Sequence, residues 1–287
     1  MKKLINLLLI FLLCIQTTGC FKSDTMEDIT IYTTVYPIEF LTEQLYGDYA
    51  DIKSIYPDGV ITDEYVLTKK QIKDYSDSEL FIFIGLNKEK DYVKELFKYN
   101  KYIKIIDATS SMEILNRTEE LWLNPSNLLM LAQNIKNGFN EYVTNHYIKQ
   151  TIEQNYDNLK LEISKLDADI SLLKENAVNT NLIVTDDLLL YLEKFGFNII
   201  SLDEDTMTEK TYSTAKQLLE DGDCSYVIST SNEDLSDIVN DLISETGAKN
   251  LEFNTLSNIS ETDRNNKKDY LTIMSENIEI LKNELYE

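Results

Sequence analysis

Two adjacent acid pairs, Asp63-Glu64 and Asp186-Asp187, are the residues whose type and spacing could do chemistry in this chain. Paired carboxylates can divide general-acid and general-base duties in a hydrolase. Neighbours on an extended strand point to opposite faces, so neither pair brings its own two carboxyl groups together. No nucleophile elbow, glycine-rich phosphate loop or Cys-His pairing accompanies them. The single histidine, His146, removes His-pair zinc motifs and leaves any catalytic triad resting on that one residue. Its setting, Tyr142 to Tyr147 with Val143, Thr144 and Asn145 between, places it inside or at the start of a long helix as a surface or cap residue. An enzyme is therefore not expected.

The acids also set the charge. Fifty Asp and Glu against 27 Lys and Arg give 287 residues a formal charge of −23. A chain this acidic lacks the electrostatic footprint that phosphate backbones require, which argues against nucleic acid as a partner. Arg117 and Arg264 are its two arginines, too few for clamps on polyanionic ligands. With 43% apolar residues, 18 Tyr and 10 Phe, the chain can bury a substantial core, so disorder is not the default. Eight Gly and three Pro point to long regular elements rather than a loop-rich sandwich.

Residues 1–19 read as a signal peptide. Lys2 and Lys3 form a basic start, and Leu4 to Ile15 is an apolar run broken by Asn6 alone, shorter than the roughly 20 residues that span a bilayer. Thr17-Thr18-Gly19-Cys20 resembles the lipobox of bacterial lipoproteins, with Thr17 where leucine is usual. The resemblance implies lipidation of Cys20 and an extracytoplasmic protein anchored to the cell membrane through that lipid. Residues 20–27 read as a polar tether. Cys14 leaves with the signal, and a lipidated Cys20 leaves Cys224 without a disulfide partner. Apolar Tyr226 to Ile228 beside it mark an inert, buried thiol.

Strand and helix signals then alternate. A β-branched run over 29–35 precedes a helix opened by Pro37 and ended by Gly47; strands over 50–56, 80–84 and 102–106 alternate with helices over 68–76 and 91–99, with a Pro57-Asp58-Gly59 turn between. Residues 125–176 carry no strand signal. Ile152, Tyr156, Leu159, Ile163, Leu166, Ile170 and Leu173 step by fours and threes, one apolar stripe on a long helix. The alternation resumes with strands over 182–184, 198–202, 226–229 and 250–253 and helices over 188–195, 208–220, 235–246 and 269–286. The fold class expected is α/β: two βα lobes with mostly parallel sheets, over 28–145 and 177–287, joined by one long helix over 146–176.

That layout behind a lipobox resembles the substrate-binding lipoproteins of bacterial zinc and manganese ABC importers. The resemblance is carried by Thr34-Val35-Tyr36-Pro37-Ile38, Tyr56-Pro57-Asp58-Gly59-Val60, Asp63-Glu64-Tyr65 with Thr68, and Ser78 to Gly85. Leu121-Trp122-Leu123-Asn124-Pro125, Glu245-Thr246-Gly247-Ala248 and Asp269 to Asn277 complete it. It implies a monomeric solute-binding protein that holds a divalent cation between its lobes and hands it to an ABC permease, with no resident cofactor. It also implies the metal positions: Asp63 before Glu64-Tyr65, Glu120 two before Trp122, Asp186 five before Tyr191, and Ser257 in the loop after Phe253, near Asn254 and Asn258. Where the family carries histidines, this chain has none. Glu64 and Asp187 are possible helpers, and the histidine-rich loop of some relatives is missing from 110–119.

Three carboxylates in one cleft repel one another unless a cation sits among them. Oxygen-only donors suit hard ions such as Mg²⁺, Ca²⁺ or Mn²⁺, whereas imidazole and thiolate favour zinc. Manganese is the member of that set which the family already transports, with zinc the other candidate. The rival expectation is a metal-free, degenerate member serving as a surface interaction or adhesion lipoprotein.

Overall fold

The computed structural model describes residues 26–231 and 234–286. The signal peptide, Cys20 and most of the tether lie outside the described residues. Eight strands form two four-stranded sheets, every pairing parallel. The first contains β1 (Ile29–Thr33), β2 (Ala50–Ser54), β3 (Leu80–Phe83) and β4 (Lys104–Asp107) in the order β2-β1-β3-β4. The second contains β5 (Asn181–Val184), β6 (Asn198–Ser201), β7 (Tyr226–Thr230) and β8 (Lys249–Phe253) in the order β6-β5-β7-β8. Interior strands β3 and β7 are buried at every residue, as helices on both faces of a parallel sheet require. Edge strand β2 instead alternates between half-buried and exposed. In each sheet the order reverses between the first and third strands, and crevices for ligands open there, beyond the strands' carboxyl ends.

Local sequence explains the helices that frame those crevices. In the first lobe, α1 (Tyr36–Tyr46) starts with Pro37 in its first turn and closes on Gly47 at φ 62°. Helix α2 (Lys69–Tyr75) is fastened by a capping box between Thr68 and Gln71, and α3 (Glu89–Tyr99) follows β3. Next come α4 (Glu120–Leu123), α5 (Pro125–Tyr142) and the 31-residue α6 (His146–Asn176). At 1.5 Å per residue α6 is about 46 Å long, and the side chain of Asn145 caps its start. Every member of the stripe from Ile152 to Leu173 is buried, with Ile148 added one turn earlier. Helices α1 and α5 pack against α6, and so does α10 (Tyr270–Leu285) from the second lobe. One apolar core therefore runs through both lobes along this helix. A smaller cluster under β6, α7 (Glu209–Asp221) and α8 (Asp237–Thr246) completes the second lobe.

The structure departs from the sequence expectations in three places. Residues 187–195 form a 3₁₀ helix instead of an α-helix. Leu188 and Tyr191, like Leu189 and Leu192, are buried three positions apart, the spacing at which 3₁₀ side chains eclipse. Helices α4 and α9 (Glu261–Asn265) are four and five residues long, too short for periodicity to reveal them. Several strands stop a residue or two early because their last residues turn into the cleft loops.

Gly138, inside α5, lies against β4: a Cβ there would stand 2.6 Å from Ile106 Cγ1 and 2.7 Å from its Cδ1. Gly138→Ala would gain about 1 kcal/mol of helix propensity but force Ile106 from a packed core, which costs about 1–3 kcal/mol. The expected result is a lower urea midpoint with an unchanged m-value; a raised midpoint would show that Ile106 moves aside freely.

Candidate functional site

A short strap in the second lobe, residues 254–259, ties the two lobes together. Trp122, 2% exposed, donates its indole N–H to the Thr255 carbonyl at 2.8 Å, and Tyr36 N donates to Ser257 O at 3.3 Å. Gly59 N donates to Ile259 O at 2.8 Å, while Asn258 Nδ2 donates to the carbonyls of Pro57 at 2.7 Å and Val60 at 3.0 Å. From behind, the Asn277 amide closes on Asn254, donating to its carbonyl at 2.8 Å and accepting from its N–H at 2.9 Å. Leu256 is fully buried at φ 59°, a left-handed backbone that a bulky residue holds only where its surroundings impose it. Arg264 adds a charged tie: its Nε and Nη2 meet both oxygens of Asp58 at 2.6 and 2.9 Å, and Nη2 reaches Glu39 at 3.1 Å.

Inside this frame lies a cavity of about 200 Å³, with Asp63, Arg117, Glu119, Asp186 and Ser257 among its lining residues. Asp63 comes from the turn after the Pro57-Asp58-Gly59 segment, and Lys88 Nζ pins that turn by donating to the carbonyls of Thr62 (2.7 Å) and Asp63 (2.6 Å). Asp186 follows β5 at the second lobe's switch point. Its Oδ1 accepts from Leu188 N at 2.7 Å, which caps the 3₁₀ helix and fixes the carboxylate's direction. Ser257, half-buried, is delivered by the strap itself.

Asp63, Asp186 and Ser257 thus share one cavity, and Glu120 is not brought into it. Successive helical residues point about 100° apart. Glu119, just before α4, faces the cleft, while Glu120 turns into the protein, 4% exposed, towards Asn116 Nδ2 at 3.3 Å and Lys194 Nζ at 3.9 Å. Burial pushes the Glu119 carboxyl up from its ordinary value, and the nearby charges of Asp63 and Asp186 push it further. The helpers divide as well: Glu64 is exposed, and Asp187 accepts from Ser201 Oγ at 2.6 Å and Thr206 Oγ1 at 3.0 Å.

The cleft already holds a cationic side chain. Arg117 Nε stands 3.4 Å from Asp186 Oδ1, and its Nη2 pairs with Asp203 Oδ2. Asp203, just beyond β6, is 4% exposed. Burial alone would raise its carboxyl, but the Arg117 hydrogen bond and the backbone N–H groups of Asp205 (3.0 Å) and Asp187 (3.3 Å) outweigh that and hold it below the usual range. The bond to Asp203 likewise keeps the Arg117 guanidinium more firmly charged. Arg117 also lines an adjoining cavity of about 250 Å³ that includes Asp186, Asp203, Asp205 and Ser236. Among the described residues no three His, Cys, Asp or Glu side chains stand close enough to hold a metal ion together. Sequence reasoning passed over Arg117, Glu119 and Asp203. The one available signal was the scarcity of arginine, which makes each of the two a residue with a specific partner.

Residues 31–284 match the family model of ZnuA, the periplasmic zinc-uptake complex component A. The chain belongs to this family. Its members are solute-binding proteins of metal ABC transporters and not enzymes. The zinc-binding lipoprotein AdcA of Streptococcus pneumoniae is 24% identical over 309 residues, covering 98% of this chain and 61% of AdcA, so the chain spans about three fifths of that relative. The manganese ABC transporter substrate-binding lipoprotein PsaA of the same species is 28% identical over 154 residues, 47% of this chain and 50% of PsaA. The crystal structure of the Zn(II)-bound ZnuA-like domain of S. pneumoniae AdcA superposes with a TM-score of 0.74 at 22% identity, covering 91% of this chain and 100% of that one. The laminin-binding protein Lbp of Streptococcus pyogenes shares the fold with a TM-score of 0.69 at 16% identity, over 90% of this chain and 99% of Lbp.

His146 is an exposed first residue of α6. Cys224 is a buried free thiol whose pKa burial, with Glu284 beside it, pushes up to about 12. Glu89, 1% exposed, sits next to the Lys88 that pins the Asp63 turn, and accepts from Ile84 N at 3.1 Å and Tyr56 OH at 3.4 Å. Burial pushes its carboxyl up to about 7. A folded pKa above the unfolded value near 4.3 gives stability that is full below that value and is lost as pH rises to about 7. Glu89→Gln should therefore be more stable than the parent at pH 8, by about 1–3 kcal/mol, with a flatter stability profile between pH 4 and 7. Urea unfolding at pH 5 and pH 8 checks this; an equal loss at both would show that the ionised carboxylate is what the pocket prefers.

Proposed function

We propose that this chain is the extracytoplasmic solute-binding lipoprotein of a metal-ion ABC importer, anchored through Cys20, capturing a divalent cation in the interlobe cleft and passing it to a membrane permease. The observation that carries the reading is the arrival of Asp63, Glu119, Asp186 and Ser257, from both lobes, at one cavity beyond the strand ends. This donor set contains only oxygen. Hard divalent ions are matched to it, and manganese fits both that chemistry and the cargo named for PsaA. Zinc, the ion of AdcA, is the weaker ligand here because imidazole and thiolate are missing from the cavity's lining. Asp63 and Asp186 are the principal ligands, Glu119 supplies the carboxylate from the Trp122 segment, and Glu120 supports α4 by pairing with Lys194.

Isothermal titration of the purified chain with Mn²⁺, Zn²⁺ and Ca²⁺ tests this. Mn²⁺ should bind with measurable heat and a raised Tm, and Asp63→Ala and Asp186→Ala should each weaken it at least tenfold, about 1.4 kcal/mol. No heat and no thermal shift with any ion would leave the metal-free interaction or adhesion scaffold standing in its place. Unchanged affinity in both variants would move the site elsewhere.

A further inference from the structure

We propose that Arg117 is a resident counter-cation that competes with the incoming ion for Asp186, so that loading the cleft exchanges a guanidinium for a divalent metal. The inference rests on reading the cleft as a cation site, and it assigns that site a built-in competitor.

The two contacts of Arg117 are unequal. On one side the guanidinium grips Asp203 in a short pair, and Asp203 is itself fixed by two backbone N–H groups and almost fully buried. On the other side its Nε reaches Asp186 Oδ1 at 3.4 Å, longer than an ordinary hydrogen bond, while that same oxygen accepts from Leu188 N at 2.7 Å. The side chain is 39% exposed and borders both cavities, so it has room to turn. A small rotation would withdraw Nε from Asp186 while Nη2 stays on Asp203. Asp203 is then a parking place for the displaced cation, and Asp186 the ligand it releases. Lys88 is bonded to the carbonyls of Thr62 and Asp63, and Lys194, half exposed, stands 3.9 Å from Glu120, outside the cavity.

The Arg117 guanidinium lets Asp63, Glu119, Asp186 and Asp203 coexist around the two adjoining cavities. A monovalent ion offers no more charge than the arginine it would displace. A divalent ion does, so the competitor also raises selectivity for divalent cargo.

Calorimetry with MnCl₂ at fixed ionic strength on the full chain tests the exchange. Arg117→Gln should bind Mn²⁺ at least tenfold more tightly than the parent, and Arg117→Lys should stay within about threefold of it. Asp203→Asn should weaken binding at least threefold, because the guanidinium loses its alternative anchor and stays on Asp186. If the parent binds and Arg117→Gln binds equally or less tightly, the competitor role is overturned and the cation site stands. If neither binds Mn²⁺, Zn²⁺ or Ca²⁺, both readings fall. Because the chain has two arginines, the unmutated protein provides a readout independent of any variant's folding. The ¹⁵Nε resonance of Arg117 should shift on saturation with Zn²⁺ or Ca²⁺ while that of Arg264 does not; an unmoved Arg117 resonance at saturation would contradict the exchange.

Discussion

Carboxylates gathered at the ends of two sheets cannot all stay ionised beside one another without a positive charge between them, and the interlobe cleft is organised around that constraint. Asp63, Glu119 and Asp186 line one cavity, and Asp203 lies just behind. Arg117 is the charge that lets them coexist. Arg117 pulls both neighbouring carboxyls down, but only Asp203, in direct contact, is held below the ordinary carboxylate range; at Glu119 burial and the charges of Asp63 and Asp186 outweigh it and push the carboxyl up. A net charge of −23 is mostly solvated surface, but in the cleft the same excess becomes a demand for a cation.

The lobes are tied to one another around that cleft. The 254–259 strap is bonded to the first lobe through Trp122, Tyr36, Gly59 and Asn258, and the Arg264 to Asp58 and Glu39 ties lie at its edge. Helix α6 carries core side chains past both lobes as one rigid rod. Opening the molecule wide would break several hydrogen bonds at once, at about 0.5–1.5 kcal/mol each. The exchange we propose needs only side-chain rotation and local loop movement in such a frame, with Lys88 holding the Asp63 turn.

Features governed by local rules were legible in the sequence. The stripe on α6, the alternation of strand and helix and Gly47 as a helix end all follow from periodicity or capping chemistry, which operate within a few residues. Family resemblance located Asp63, Asp186 and Ser257, which the structure brings to one cavity. The rest depended on distance and orientation. Arg117 and Asp203 are 86 residues apart, and nothing local couples them. Glu119 and Glu120 are identical in type and adjacent, and only the helical turn at α4 decides which one faces the cleft. The 3₁₀ form of 187–195 is likewise set by how Leu188, Leu189, Tyr191 and Leu192 meet the core.

The most direct test is a crystal structure of the protein grown with Mn²⁺, with anomalous data collected at the manganese edge. The account predicts one strong anomalous peak in the interlobe cavity, within coordination distance of Asp63 and Asp186 oxygens, with Arg117 withdrawn onto Asp203. A cleft without a peak, with Arg117 still bridging Asp186 and Asp203 in manganese-saturated crystals, would contradict it.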